Sequence, residues 1–254
     1  MAVTIKSPRE IELMRKAGEI LAATHEELRK AIKPGISTLD IDRLGEKIIR
    51  SHGCIPSFKN YNGYPASICV SVNDEVVHGI PNRRRILKEG DIVSLDAGVI
   101  YQGYHSDAAR TWAVGEISPD AKKLIEVTRQ SFFEGIKFAK AGNHLNDISA
   151  AIQSYVEGFG YGVVRDLVGH GIGTHLHEDP EVPNFARKRK GIVLRPGMTL
   201  AVEPMINMGG PDVVWLDDDW TVVTTDHSLS AHYENTILIT EGEPEILSLG
   251  NEMQ

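Results

Sequence analysis

A chain of 254 residues is long enough to bury a substantial core, and 41% hydrophobic with 24% charged residues is the composition of an ordinary globular protein rather than a disordered one. A formal charge of -8 argues against nucleic-acid binding as the main function. No apolar run approaches the ~20 residues of a membrane-spanning helix, and the opening MAVTIKSPRE has no signal-peptide core. The two cysteines, Cys54 and Cys69, form no CxxC pair and are expected to stay reduced in a cytoplasmic setting.

In chain order, the first element is a helix opening at Ser7-Pro8, an N-cap followed by Pro at the first helical position. A second helix starts near Ser37 and stops near Gly53, as helices often end at Gly. Short runs rich in Val, Ile, Leu, Thr and Tyr then read as strands: IVSLD at 92–96 and HSDAART around Asp107. The order repeats. Ser118-Pro119 opens a third helix, a fourth runs from near His144 to near Gly160, and TLAVE at 199–203 and SAHYENTILI around Glu234 read as strands.

That repetition is an internal duplication. At a constant offset of 107 residues, Lys33 lies over Lys140, Gly35 over Gly142, Asp40 over Asp147, Gly53 over Gly160 and Asp96 over Glu203. The second half then gains 20 residues, after which HSD at 105–107 lies over HYE at 232–234 and Asp107 over Glu234. The expectation is one catalytic domain over 1–254, built from halves of about 1–112 and 113–254. Packed about a pseudo-two-fold axis, the halves bring their acid pairs face to face.

Asp96, Asp107, Glu203 and Glu234 each sit within an apolar run, where an isolated ionised carboxylate costs several kcal/mol or takes up a proton. Any one of them reads as a salt-bridged strand residue. The set does not, because only Arg110 stands within three residues of any of them. With His170 between the pairs they form a hard, oxygen-rich donor set for two divalent cations such as Mn, Fe, Co or Zn, and the natural reaction class is hydrolysis.

GHGIGTHLHEDP at 169–180 reads as strand-like, with one of His175 and His177 expected at the centre: His170 and His177 are assigned inward roles and His175 is expected to be structural or partly exposed. VHGI at 77–80 echoes GHGI at 169–172, which sets His78 beside them as a proton donor or oxyanion stabiliser. The G-x-G-x-G run lacks a following Gly-Lys-Ser/Thr, and neither HExxH nor GxSxG occurs, which argues against nucleotide-loop, gluzincin and serine-hydrolase chemistry. Two basic clusters, Arg83 to Lys88 and Arg187 to Lys190, read as solvated loops or as a docking patch for RNA or an acidic partner.

The segments NGYPASICVSVNDEVVHGIP, GDIVSLDAGVIYQGYHSDAART, GHGIGTHLHEDP, LRPGMTLAVEPM and SLSAHYENTILIT resemble the type I methionine aminopeptidases, over essentially the whole chain. The resemblance implies a pita-bread α/β (α+β) fold: a curved antiparallel sheet with two pseudo-two-fold-related halves and helices on the outer face. It implies that Asp96 and Asp107 bind one metal and His170 and Glu203 the other, while Asp107 and Glu234 bridge. Glu203 would shuttle protons, His78 would contact the scissile nitrogen and His177 the carbonyl oxygen. Phe58, Tyr61, Tyr64, Cys69, Leu176 and Trp220 would line the methionine pocket, with Phe58 and Leu176 standing where relatives often have Cys and Phe. His232 occupies a place where Gln is commoner, and its role is left open between ligand and hydrogen-bond partner.

The implied substrates are peptides and nascent chains with N-terminal Met and a small second residue, as in this chain's own Met1-Ala2; the basic loops would then meet the ribosome, and a monomer is expected. Two competing readings are an Xaa-Pro peptidase of the same fold, whose relatives usually carry an extra N-terminal domain, and a non-catalytic ribosome or RNA adaptor.

Overall fold

The computed structural model describes residues 3–250, so Met1-Ala2 lies outside it. The first half contributes α1 (Pro8–Ala31), α2 (Thr38–Ser51), β1 (Ile55–Pro56), a 3-10 turn at Tyr61–Gly63, β2 (Ile68–Val72), β3 (Glu75–Val77), β4 (Ile92–Tyr101) and β5 (Tyr104–Ala113). The second half begins with α3 (Pro119–Ile136), α4 (Leu145–Glu157), β6 (Gly162–Val163), β7 (Gly169–Gly171), β8 (Glu178–Val182) and β9 (Thr199–Val202). It continues with β10 (Met205–Asn207), β11 (Val213–Trp215), β12 (Val222–Thr224), β13 (Ser230–His232), β14 (Asn235–Leu238) and β15 (Glu245–Ile246).

The helix starts follow the local chemistry. Ser7 and Ser118 are N-caps with Pro in the first turn, and Ser7 forms a capping box with Glu10. Gly53 and Gly160 follow α2 and α4 at φ 70° and 77°, a left-handed backbone that lacks a Cβ penalty only in Gly. The duplication is visible in backbone pairing: the isolated bridges Ser37 to Ile86 and His144 to Val193 are related by the sequence offset of 107 at both ends.

Every strand pair is antiparallel, and the strands fall into four hydrogen-bonded sheets. The β4–β5 hairpin is flanked by β1 and β2; the run β15-β14-β9-β7-β8 is its counterpart. The expected single curved surface is thus interrupted. Register shifts at His170/Gly171 in the β7–β8 pair and at Val222/Val223 in the β12–β3 pair bend strands within their sheets. Single backbone bonds then carry the surface across the gaps, from Glu234 N–H to Ala109 O (2.9 Å) and from Ser230 N–H to Asn73 O (2.9 Å).

Helices cover one side of this surface: α1 packs on β4 and β5, α2 on β2, α3 on β10 and β13, and α4 on β6 and β8. Each half has its own core. Leu21, Leu28, Ile41, Ile68 and Leu95 belong to the first, and Leu124, Phe132, Ile148, Val202 and Ile237 to the second. No helix among the described residues is long and apolar enough to cross a membrane.

Two side chains pin the seam between the halves. Thr236 Oγ1 accepts from the Asp107 N–H (2.8 Å) and donates to the Asp107 carbonyl (2.9 Å). The Arg110 guanidinium donates to the Glu234 carbonyl, to Asn235 Oδ1 (2.8 Å) and to the Ser248 carbonyl (3.3 Å), and lies 4.4 Å from the centre of the Tyr233 ring. Replacing Thr236 by Val keeps the shape but strands the buried Asp107 N–H, so Thr236→Val is expected to lose about 1–3 kcal/mol in urea unfolding, with Thr236→Ser close to wild type. Equal stability of the two variants would remove the hydroxyl from this role.

Candidate metal centre and adjoining pocket

Strand register decides which acids meet. In the β4–β5 hairpin Asp96 stands opposite Ala109 and Asp107 opposite Gly98, so the two carboxylates are diagonal neighbours on one face. In the other half His170 pairs with Ala201, and Ala201 with Thr236. Glu203 and Glu234 lie two residues along those strands and therefore share the face of His170. Arg110, the one nearby cation in sequence, is three residues from Asp107 and turns to the opposite face, where it is buried against backbone carbonyls.

The side chains of the two halves converge. His170 Nε2 is 3.7 Å from Glu203 Oε1 and 4.0 Å from Asp107 Oδ2. Ligand atoms of Asp107, His170 and Glu234 lie within 4.8 Å of one another, and so do those of Glu203, His232 and Glu234. Asp96 falls outside both trios but shares a side-chain hydrogen bond with Asp107. His170 Nδ1 is 2.9 Å from the Gly171 carbonyl, which only accepts; Nδ1 therefore carries the proton and Nε2 offers a lone pair to the acids.

Without a cation the cluster is electrostatically unbalanced. Burial raises all four carboxyls, Asp96 to about 7 and Glu203 to about 8, with Asp107 and Glu234 well above the usual range and pushed further by neighbouring acids. Burial also lowers His170 to about 3. Asp96 Oδ1, Glu234 Oε1 and His232 Nε2 are buried and have no hydrogen-bond partner, although such atoms are normally paired. Among the described residues, no Lys or Arg lines the cavity above them. Hard oxygens, imidazole nitrogens and orphaned acceptors on one face fit divalent cations of the Mn, Fe, Co and Zn class.

The cavity has a volume of about 210 Å³, and all the expected pocket residues line it: Phe58, Tyr61, Tyr64, Cys69, Leu176 and Trp220, with His78 and His177. Asp96, Asp107, His170, Glu203 and Glu234 line it too. Trp220 meets the Tyr64 ring edge-on at 5.1 Å, and Tyr61 Oη is 2.6 Å from His177 Nδ1. Close approach of Phe58 to the hairpin needs Gly98: a Cβ there would lie 2.6 Å from Ser57 Cβ and 3.0 Å from Phe58 Cε1. His78 takes a left-handed backbone at φ 59°, the kind of local strain that collects at functional sites, and burial lowers its ring pKa to about 4. A larger open cleft of about 1430 Å³ runs along α1 and α3 but contains none of the four acids.

The strand expected to carry His175 and His177 is corrected: on a strand the two would share a face, and the segment is not extended. Residues 173–177 form bends between β7 and β8, with His175 outside, Leu176 buried in the pocket and His177 at its rim, 4.2 Å from the His170 ring. The cause is Glu178. Its buried carboxylate pairs with Lys6 (2.7 Å) and accepts the His175 N–H (3.1 Å), which curls the segment instead of extending it. Asn62, Val77, Leu167, Val168 and Met205 also line the cavity and were not expected. Asn62, Val77 and Met205 lie within the segments that carry the family resemblance, whereas Leu167 and Val168 had no such signal.

Residues 12–241 match metallopeptidase family M24. The chain is 58% identical over 247 residues to a methionine aminopeptidase of Clostridium acetobutylicum, covering 97% of this chain and 99% of that protein. It is 54% identical over 246 residues to methionine aminopeptidase 1 of Bacillus subtilis, covering 97% and 99%. Among solved structures, a methionine aminopeptidase from Thermotoga maritima superposes with TM-score 0.95 at 49% identity, covering 97% of this chain and 99% of that one. An Xaa-Pro dipeptidase from Bacillus anthracis superposes with TM-score 0.79 at 28% identity, but this chain spans only 61% of it. The fold is the pita-bread fold.

The raised carboxyl pKa values have a sign that can be tested. The folded, metal-stripped protein holds protons that the unfolded chain releases near pH ~4, so their stabilisation is complete below that pH and is lost as pH rises through about 7 and 8. The melting temperature of stripped protein is expected to fall between about pH 5 and pH 8, and added Mn2+ to raise it more at the upper end, because cation binding needs deprotonated ligands. A flat profile in scanning calorimetry would contradict the buried, uncompensated cluster.

Proposed function

Because this chain belongs to metallopeptidase family M24, we infer that it is a metal-dependent aminopeptidase that hydrolyses the N-terminal methionine from peptides and proteins. The observation that carries this reading is the cluster of buried acids and imidazoles, without a cationic side chain, at one wall of an apolar cavity. Two divalent ions would be held by Asp96, Asp107, His170, Glu203 and Glu234, with Mn, Fe, Co and Zn all suited to the donor set. Bound there, such ions supply Lewis acidity and a water that ionises near neutral pH.

The chain's own groups divide the remaining work. Phe58, Tyr61, Tyr64, Cys69, Leu176 and Trp220 receive the unbranched thioether, which suits a soft aromatic slot; discrimination against a side chain one methylene different is about 1–3 kcal/mol. His78, held neutral by burial, acts as a hydrogen-bond donor to the scissile nitrogen rather than as an acid. With Tyr61 Oη donating to His177 Nδ1, the proton of His177 resides on Nε2, the donor to the substrate carbonyl oxygen as charge develops. Glu203 accepts a proton from the attacking water and returns it to the leaving amine. A small second residue is preferred.

The two basic loops adjoin in the repeat frame, the end of one (Lys190) falling on the start of the other (Arg83) at the offset of 107, and all of Arg83, Arg84, Arg85, Lys88, Arg187, Lys188, Arg189 and Lys190 are exposed. They form a docking surface for the ribosome, whose emerging chains are the substrates of a monomeric, cytoplasmic enzyme. The buried free thiols Cys54 and Cys69 are in keeping with that compartment.

Removal of the Glu203 carboxylate is expected to lower turnover of Met-Ala-Ser by ~100-fold or more in Glu203→Gln with the circular dichroism spectrum unchanged, the scale of a general acid–base contribution. Ala-Pro-Ala should remain uncut with Mn, Fe, Co or Zn, whereas preferential cleavage of it would move the chain to the Xaa-Pro peptidases. Failure to cut either peptide with every metal would favour the adaptor reading. Neutralising Arg187 to Lys190 should weaken ribosome co-sedimentation and leave tripeptide hydrolysis unaltered; co-sedimentation that persists would remove the loops from this role.

A further inference from the structure

His232 is the residue of the centre whose part is not yet assigned. It ends β13, opposite Met205 of β10, and is 2% exposed. Thr111 holds its backbone from both sides: the His232 N–H donates to Thr111 Oγ1 (2.9 Å), and the Thr111 hydroxyl donates to the His232 carbonyl (2.9 Å). Ser94 Oγ, 2.8 Å from Thr111 Oγ1, is left as the donor to it. The backbone of His232 is therefore fixed beside the acids by a hydrogen-bonded network.

At the end of this device sits an atom without a partner. His232 Nε2 is buried and makes no hydrogen bond. It lies 3.6 Å from Glu203 Oε2 and 4.0 Å from Glu234 Oε2, too far for an N–H···O bond. The same separations surround the other imidazole, with His170 Nε2 at 3.7 Å from Glu203 Oε1 and 4.0 Å from Asp107 Oδ2. Donor atoms that share an ion at ~2.0–2.2 Å stand roughly 3–4 Å from one another, so these are the spacings of ligands around a cation rather than of hydrogen-bonded pairs.

We propose that His232 is a further metal ligand, binding a divalent cation through Nε2 together with Glu203 and Glu234. Glu203 then stands between two imidazoles, with one oxygen toward each. A second nitrogen shifts the centre's preference along the Irving–Williams order, toward Co and Zn and away from Mn. The assignment rests on the two-cation reading given above.

The test uses full-length protein loaded with Co2+ and does not depend on activity. In proton NMR, an imidazole bound to Co2+ shows a hyperfine-shifted ring N–H that disappears in D2O. Wild type is expected to show two such resonances, from His170 and His232, and His232→Gln one. Gln retains a hydrogen-bond donor at this position but offers no imidazole lone pair, so in a buffered titration His232→Gln should bind the weaker equivalent of Co2+ about 10- to 100-fold less tightly, the other being unchanged. Two bound equivalents with a single exchangeable resonance in wild type, or unaltered affinities in His232→Gln, would overturn the assignment of His232 and leave the two-cation reading standing. Wild type that binds fewer than two equivalents would overturn that reading itself. Should His232→Gln fail to fold, the wild-type spectrum alone decides.

Discussion

Crowding of buried carboxylates is the constraint on which the rest of this structure depends. Asp96, Asp107, Glu203 and Glu234 share one face, and no Lys or Arg lines the cavity with them. Their mutual repulsion and desolvation are relieved only by protons or by a cation, which is why the acids rise far above ordinary carboxylate values in its absence. The same imbalance is the source of cation affinity: anything that binds the folded chain and not the unfolded one stabilises it. Stability and chemistry are thus coupled through one cluster, and the Arg110 guanidinium, on the opposite face, offsets only part of the Glu234 shift while it binds the seam through backbone carbonyls and Asn235.

Duplication explains how such a cluster is assembled without long loops. Each half offers one acid from each of two adjacent strands, and pairing the halves brings four together at the seam. Asymmetry enters with the additional residues of the second half. They fall between Glu203 and His232, where β10 to β12 lie, and carry Met205 and Trp220 to the cavity. The repeated part of the fold builds the cation site, and the unrepeated part closes the pocket beside it.

Histidine protonation is set by neighbours outside the cluster. A backbone carbonyl fixes the His170 tautomer, Tyr61 orients the His177 ring, and burial keeps His78 neutral. None of these partners is an acid of the centre, so the imidazoles keep their orientation whether the carboxylates hold protons or cations.

Local chemistry was readable from the residues alone: helix starts at Ser7 and Ser118, glycine stops at Gly53 and Gly160, the 107-residue repeat, and the acids that stand out against apolar strands. These depend on contacts within a few positions, or on the comparison of the chain with itself. Tertiary structure alone decided the rest. The curl at 173–177 comes from Glu178 meeting Lys6, 172 residues away, and the cavity wall of Leu167, Val168 and Met205 comes from apolar side chains that carry no spacing signal. His232 was left open in the sequence for the same reason. Whether its Nε2 meets solvent, a hydrogen-bond partner or two carboxylates is settled by the register of β10, β13 and β5, and long-range pairing of that kind leaves no mark on neighbouring residues.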